Sequence, residues 1–354
     1  MEVLDHKCIS CGAKLPFNPK SQKWDCPYCG RSYELKELQE YEKNHMDEYE
    51  VENETDEIDE TVDMDLYTCP DCGAEIIADK NTSATFCVYC GNTSIIKKKF
   101  QGKFKPMKLI PFKNTKKEAI AKFRSFGKGK MFTPKDFLDE KNIEKIEGVY
   151  IPFWLFDYDV SGSVEMEGTR TTSWQSGDYR YEKIDTYGLH REGKMEYRKV
   201  PADGSTKFDD NTMDSVEPFD YNGLVDFNMS YLSGFFSEKY DVSGDESKSR
   251  VLGRIKATTN EQFVSTGKGY SGVKVVSSNL NAENRACDYV LLPVWMLNIK
   301  YEDKMHFFAM NGQTGKMVGN IPIDKKKLNI ARILSFGISF IVSFLAVLLF
   351  TVIF

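Results

Sequence analysis

Residues 8–30 read CISCGAKLPFNPKSQKWDCPYCG, and residues 69–91 read CPDCGAEIIADKNTSATFCVYCG. Both are C-x2-C-x14-C-x2-C, and a constant offset of 61 residues carries Cys8, Cys11, Cys26 and Cys29 onto Cys69, Cys72, Cys87 and Cys90. Gly12, Ala13, Tyr28 and Gly30 recur as Gly73, Ala74, Tyr89 and Gly91. Two C-x2-C knuckles, each turned by the glycine after its second cysteine, bring four thiolates into a tetrahedron, the arrangement of a four-cysteine zinc ribbon. So small a module buries too little apolar surface to fold alone, and metal binding supplies much of its folding free energy. With all four positions filled by protein, two zinc ions would be structural. Iron in a rubredoxin-like site and disulfide pairing are the alternatives that the spacing leaves open. His6, two residues before Cys8, is a further nearby donor.

Outward from this duplication, the 354 residues leave room for two to three domains. The first ten residues carry charges where a signal peptide needs an apolar run. A net charge of -6 conceals -13 over residues 34–66 and +11 over residues 97–145. Leu35, Leu38 and Tyr41 support a short helix, and the acidic residues after it read as a solvated, self-repelling linker. The chain therefore divides into ribbon 1 (1–33), acidic linker (34–66), ribbon 2 (67–96), a basic helical segment plus body (97–328) and a C-terminal anchor (329–354).

In the basic segment, Thr115 with Glu118 forms a capping box, and Thr133-Pro134-x-Asp136 is a second helix start. From Val149 to Ile323 short Tyr-, Val- and Phe-rich runs punctuated by Gly, Asp and Asn predict strands and turns. Val251, Leu252, Ile255 and Phe263 predict a helix within residues 246–266, and Asn311-Gly312 to Gly315 predicts a hairpin turn. The fold class is α+β: two small four-cysteine zinc ribbons, a β-rich body with a few helices, and one C-terminal transmembrane helix. A weaker repeat at an offset of 141 relates Val149-Tyr-Ile-Pro152-Phe-Trp154 to Val290-Leu-Leu-Pro293-Val-Trp295. It reads equally as two related half-domains or as two apolar strands that each begin at a proline on a sheet edge.

Ile333 to Phe354 is 22 residues without a charge. At about 1.5 Å per residue it spans roughly 33 Å, enough for a hydrocarbon core of about 30 Å. Lys325, Lys326, Lys327 and Arg332 precede it, so the positive-inside rule places the bulk of a single-pass, tail-anchored cell-membrane protein in the cytoplasm. Ser335, Ser339 and Ser343 form a small-residue stripe suited to weak self-association, or to hydrogen bonds with their own helix carbonyls.

No phosphate loop, metalloprotease helix, nucleophile elbow or EF-hand occurs, so no catalytic activity is expected; an unrecognised site in the body is the alternative. Asn311-Gly-Gln-Thr-Gly-Lys316 has the wrong spacing for a phosphate loop, and Cys287 reads as a small buried hydrophobe. Lys97, Lys98, Lys99, Lys103 and Lys105, interleaved with Phe100 and Phe104, are the candidate contacts to a polyanion, either nucleic acid or an anionic membrane surface. The same lysines also fit a solvated face. The ribbons would offer Trp24, Tyr28 and Tyr89 to a protein partner, or pack against the body.

The C-x2-C-G ribbons, Ile110-Pro111-Phe112, Thr133-Pro134-x-x-Phe137, Gly148-Val-Tyr150-x-Pro152-Phe-Trp154 and Asn311-Gly-x-Thr314-Gly-Lys316 together resemble a family of uncharacterised bacterial membrane proteins with a TFIIB-type zinc ribbon. Members are often labelled primosomal helicase through ribbon similarity. The resemblance implies zinc binding and membrane attachment without an established activity, and the missing nucleotide-binding motif argues against a helicase. The expected function is a membrane-tethered cytosolic scaffold or adaptor that binds a protein partner, with nucleic-acid binding at the membrane as the alternative.

Overall fold

The computed structural model describes residues 6–44, 64–79, 87–90 and 96–99, and residues 106–353 except 129, 135, 139–142, 144, 208, 209 and 303. Ribbon 1 is a three-stranded antiparallel sheet of β1 (Phe17–Asn18), β2 (Lys23–Asp25) and β3 (Ser32–Tyr33). The helix expected at the start of the linker is α1 (Leu35–Asn44), which buries Leu38. His6 joins it to the ribbon, its Nδ1 2.6 Å from Glu42 Oε1. The acidic residues 45–63 lie outside the described residues.

Ribbon 2 differs in where its strands go. β4 (Met64–Thr68) pairs with β5 (Glu75–Asp79) and β6 (Ile96–Lys99), and β5 continues into the sheet of the body through Ser237↔Ile77 and Glu238↔Ile76. The position equivalent to Ile77 in ribbon 1 is Pro16, which has no N–H to give to a neighbouring strand.

The body follows as β7 (Lys108–Leu109), α2 (Lys116–Lys128), β8 (Glu147–Ser176), β9 (Tyr179–Asp203), α3 (Asp210–Val216), β10 (Val225–Asp226), β11 (Phe236–Glu238), α4 (Gly244–Ser265), β12 (Ser271–Tyr301), β13 (Lys304–Asn311) and β14 (Met317–Gly319). The sheet runs β10-β7-β12-β8-β11-β5-β4-β6, with β9 on β8, β13 on β12 and β14 on β13.

Two halves, β7-α2-β8-β9 and β11-α4-β12-β13, are related by a pseudo-twofold axis. β11 lies parallel to Val149–Tyr150 of β8, and β9 takes over that flank from Phe153. In the same way β7 lies parallel to Val290–Leu291 of β12, and β13 takes over from Val294. Pro152 and Pro293 stand at these changeovers, where one flank of the strand needs no N–H. Their carbonyls accept from Gly204 and Gly312, both at 2.8 Å. Trp154 Nε1 donates to the Val242 carbonyl at 2.9 Å, and Trp295 Nε1 donates to the Asn114 carbonyl at 3.1 Å. Each of those carbonyls immediately precedes a capping box, Ser243 with Glu246 and Thr115 with Glu118. The offset-141 repeat is thus a duplication of half-domains, and its prolines lie on central strands rather than at sheet edges.

Three further sequence expectations change. The body holds three strands of 25 to 31 residues in place of short runs. Glycines and polar residues that read as breakers sit inside these strands, which absorb them through register shifts such as Asn284/Ala286. Thr133 is engaged otherwise than as a cap, its hydroxyl donating to the Gly127 carbonyl at 3.1 Å, and Asp136–Leu138 forms a 3-10 turn. Cys287 is half-buried beside Gly244 and Trp154.

Beyond Leu155 the long strands leave the main core, and α4 lies along them. Val251 and Ile255 pack with Tyr158 and Val160, and Phe263 packs with Val164 and Leu189. Past Thr169 the β8–β9 hairpin loses its β12 neighbour and continues as a two-stranded ribbon. The chain closes in α5 (Lys325–Ile353), whose segment Lys325–Leu345 is apolar and long enough to cross a membrane, with none of it buried in the protein. Ser335 Oγ bonds the Arg332 carbonyl of its own helix at 3.0 Å.

Candidate metal centres

Each ribbon places its thiols on two tight turns. In ribbon 1 the Cys8 N–H donates to Ala13 and the Gly12 N–H to Cys8; the second knuckle repeats this with Cys26 to Arg31 and Gly30 to Cys26. Gly12 and Gly30 have φ +72°, a left-handed conformation that strains any residue with a Cβ. Ribbon 2 repeats the first turn, with Gly73 at φ +68°.

The four sulfurs of each ribbon lie within 4.8 Å of one another. Cys8 and Cys29 are 3.5 Å apart and Cys11 and Cys26 3.6 Å; the corresponding separations in ribbon 2 are 3.6 Å and 3.7 Å. A tetrahedron with metal–sulfur bonds of about 2.3 Å has edges of about 3.8 Å, so both sets fit a thiolate-bound ion. The structure thus brings together all eight cysteines that the spacing pairs, and His6 stays outside the set on Glu42.

The electrostatics of ribbon 1 point the same way. Burial raises the cost of charge on Cys8, but the Tyr33 hydroxyl at 3.4 Å and the Ser10 and Cys11 N–H groups outweigh it and hold the thiol down at about 6. The Ala13 N–H favours the Cys11 thiolate, yet the Cys8 and Cys26 sulfurs prevail and push it up to about 12. A central divalent cation would relieve this competition between thiolates.

The ribbons meet the body through opposite faces. Ribbon 1 buries Trp24, whose ring lies 5.1 Å from Tyr231, with Phe17 5.0 Å from the same ring, and Gln22 Nε2 donates to the Phe112 carbonyl at 2.7 Å. Its second knuckle is left free, and Tyr28 is 82% exposed. Ribbon 2 turns that same knuckle inward: Asn298 Nδ2 donates to the carbonyls of Val88 and Tyr89, and the Tyr89 hydroxyl is buried close to the Glu238 carboxyl. Burial pushes the Glu238 carboxyl up to about 8 against the opposing Ser205 and Tyr89 hydroxyls. Of the three aromatics read as a partner surface, Trp24 and Tyr89 are therefore taken up by the body and Tyr28 alone is presented. No local signal marks Asn298, Glu238 or Tyr231, because each meets its ribbon across long sequence separations.

Lys97, Lys98 and Lys99 lie on β6, paired with Tyr67, Leu66 and Asp65; Lys103 and Lys105 lie outside the described residues. A cavity of about 480 Å³ is lined by residues including Asn211, Ser215, His306 and Asn320. Neither Glu238 nor Glu217, whose carboxyl burial pushes up to about 7, lines it. The Asn311–Lys316 turn is the expected hairpin, closed by the Asn311 N–H on the Lys316 carbonyl at 2.8 Å, and Asn311 Nδ2 is occupied by the Val216 and Pro218 carbonyls.

No protein-family profile matches the chain, and no solved structure matches it. It is 35% identical over 326 residues to the uncharacterised protein YdjG of Bacillus subtilis (strain 168), covering 92% of each chain. At that identity and extent the chain belongs to the family of this uncharacterised Bacillus protein.

Proposed function

We propose that this protein is a membrane-tethered adaptor without catalytic activity. Its two ribbons, of the TFIIB type, each hold a structural zinc ion, and its first ribbon presents a knuckle to a protein partner on the cytoplasmic side. The observation that carries this reading is the unequal fate of two equivalent knuckles. In ribbon 2 the knuckle already works as a protein-binding element, with two of its carbonyls on the Asn298 amide and its tyrosine hydroxyl buried in the body. Ribbon 1 has the same Cys-x-Tyr-Cys turn, held by the same fold, with Tyr28 in solvent. An exposed aromatic on a rigid, metal-fixed turn is the kind of anchor that protein interfaces favour. Four-thiolate sites with no open position support a structural role for the metal. Lys325 to Lys327 and Arg332 before the apolar helix support the cytoplasmic orientation.

The test is photocrosslinking from a full-length Tyr28→p-benzoylphenylalanine variant in membranes of cells that express the protein natively, with Tyr89→p-benzoylphenylalanine as the buried control. The expected result is a protein adduct of discrete mass from position 28 alone, lost when Cys26→Ser and Cys29→Ser unfold the knuckle. Nuclease-sensitive adducts in its place, with salt-dependent oligonucleotide binding by the intact chain, would overturn it in favour of nucleic-acid binding.

A further inference from the structure

We infer that the loop Lys130–Thr133, together with Lys128 at the end of α2, docks on the anionic lipid headgroups of the membrane that α5 crosses. The inference rests on the reading of α5 as a membrane span and adds a second contact between body and bilayer.

The sequence separates this loop from α5 by almost 200 residues, but the fold places them side by side. The Asp324 N–H donates to the Phe132 carbonyl at 2.8 Å, and Lys327 Nζ donates to the Thr133 carbonyl at 2.6 Å. Thr133 in turn is tied to α2 through its hydroxyl on the Gly127 carbonyl, and its N–H closes the loop on the Lys130 carbonyl. No flexible spacer intervenes, because α5 begins at Lys325 and Asp324 caps it, accepting from the N–H groups of Lys326 and Lys327.

Arg332 is the last charge before the apolar run and lies seven residues beyond Lys325, or about 10 Å along the helix. Each headgroup layer of a bilayer is about 5 to 8 Å thick. A body clamped to the first turn of the span therefore holds the Lys130–Thr133 loop at the outer edge of the headgroup layer, within reach of its lysine side chains.

The chemistry of this surface suits an anionic leaflet. Lys128 is exposed, Lys130 Nζ lies 4.1 Å over the Phe126 ring, and Met131 is 79% exposed, an apolar tip beside these cations. Exposed Lys325, Lys326 and Arg332 continue the positive charge along α5. Asp324 is engaged as the helix cap, and Asp136 lies toward Tyr301, 3.5 Å from its hydroxyl. Basic clusters adjoining a span are drawn to anionic lipid by about five-fold per cation near the surface, which makes lipid the occupant this position favours.

The experiment uses the full zinc-loaded chain in nanodiscs of phosphatidylcholine alone or with about 30% phosphatidylglycerol, at about 0.15 M salt, and follows hydrogen exchange of amides 127–133. Exchange at least five-fold slower in the anionic discs is expected, reverting in high salt and in a Lys128→Glu/Lys130→Glu variant whose β8 and β12 protection is unchanged. Equal rates in the two discs, or slowing that survives the double variant, would overturn the inference. Slowing in neutral discs on addition of an oligonucleotide, without any from phosphatidylglycerol, would overturn it in favour of nucleic acid. A chain that co-elutes with neither disc sinks the span and this inference together, whereas one that co-elutes with both and exchanges alike in each sinks this inference alone.

Discussion

Ribbon 1 and ribbon 2 have the same eight-position skeleton, yet one is a module set on the body and the other is part of the body's sheet. The difference lies between the cysteines. Phe17 and Trp24, which seat ribbon 1 on Tyr231, correspond to Ala78 and Thr85 in ribbon 2, so the second copy lacks the aromatic face that docks the first. Conversely Ile77 joins the body's sheet where ribbon 1 has Pro16. A duplicated metal site thus fixes two identical turns, and a few apolar and imino residues decide which side of each turn meets the protein. One knuckle becomes an internal joint and the other stays available.

This contrast can be broken most forcefully at the metal. Cys69→Ser with Cys72→Ser should withdraw the roughly 10 to 16 kcal/mol that a structural zinc site contributes and destabilise the sheet of the body with it. The same pair of changes at Cys8 and Cys11 should unfold ribbon 1 and leave the body's melting transition near its original temperature. Calorimetry of the two variants, with zinc counted by a colorimetric chelator, separates these outcomes; equal losses in the body would mean that the ribbons are not differently integrated.

Trp24→Ala should cost about 3 to 5 kcal/mol and release ribbon 1 from Tyr231, seen as faster hydrogen exchange in β1 and β2 without change in β5. Glu238 tests the joint of ribbon 2 through pH. Its carboxyl is neutral in the folded protein up to about pH 8 but ionised in the unfolded chain above about 4.5. Its contribution to stability is therefore complete below 4.5 and is lost as pH rises toward 8. Between pH 6.5 and 8, with zinc retained, denaturant titration should show a fall of about 2 kcal/mol that Glu238→Gln flattens. Asn298→Ala should cost about 1 to 3 kcal/mol by leaving the Val88 and Tyr89 carbonyls unpaired, and loosen β4 and β5 while β1 to β3 stay protected. Tyr28→Ala, by contrast, should change stability by no more than about 0.5 kcal/mol, because its ring touches solvent; a larger loss in thermal melts would show that this knuckle too is engaged.

Part of this asymmetry was legible in the sequence. The metal ligands follow from local spacing, and the Thr115–Glu118 and Ser243–Glu246 capping boxes mark the starts of α2 and α4, although the second is noticed only once the helix is seen. The offset-141 repeat carries the duplication through only a few matched residues. Its confirmation lies in long-range bonds, Trp154 to Val242 and Trp295 to Asn114, that no window of sequence contains. The long strands were hidden for a different reason. Their outer halves are exposed, so hydrophobic alternation fades there and Gly162 or Gly168 reads as a turn although each lies inside β8.

The sequence by itself determined what depends on near neighbours: two four-thiolate turns, the helix caps, the Asn311 hairpin and an apolar helix long enough for a bilayer. These are set by spacings of a few residues, where chain geometry leaves few alternatives. Tertiary structure alone decided which knuckle is buried, that ribbon 2 extends the sheet, that two half-domains face each other across an axis, and that Lys130 to Thr133 lies against the start of α5. Those outcomes depend on contacts between segments up to about 200 residues apart, which form only once the whole core has closed.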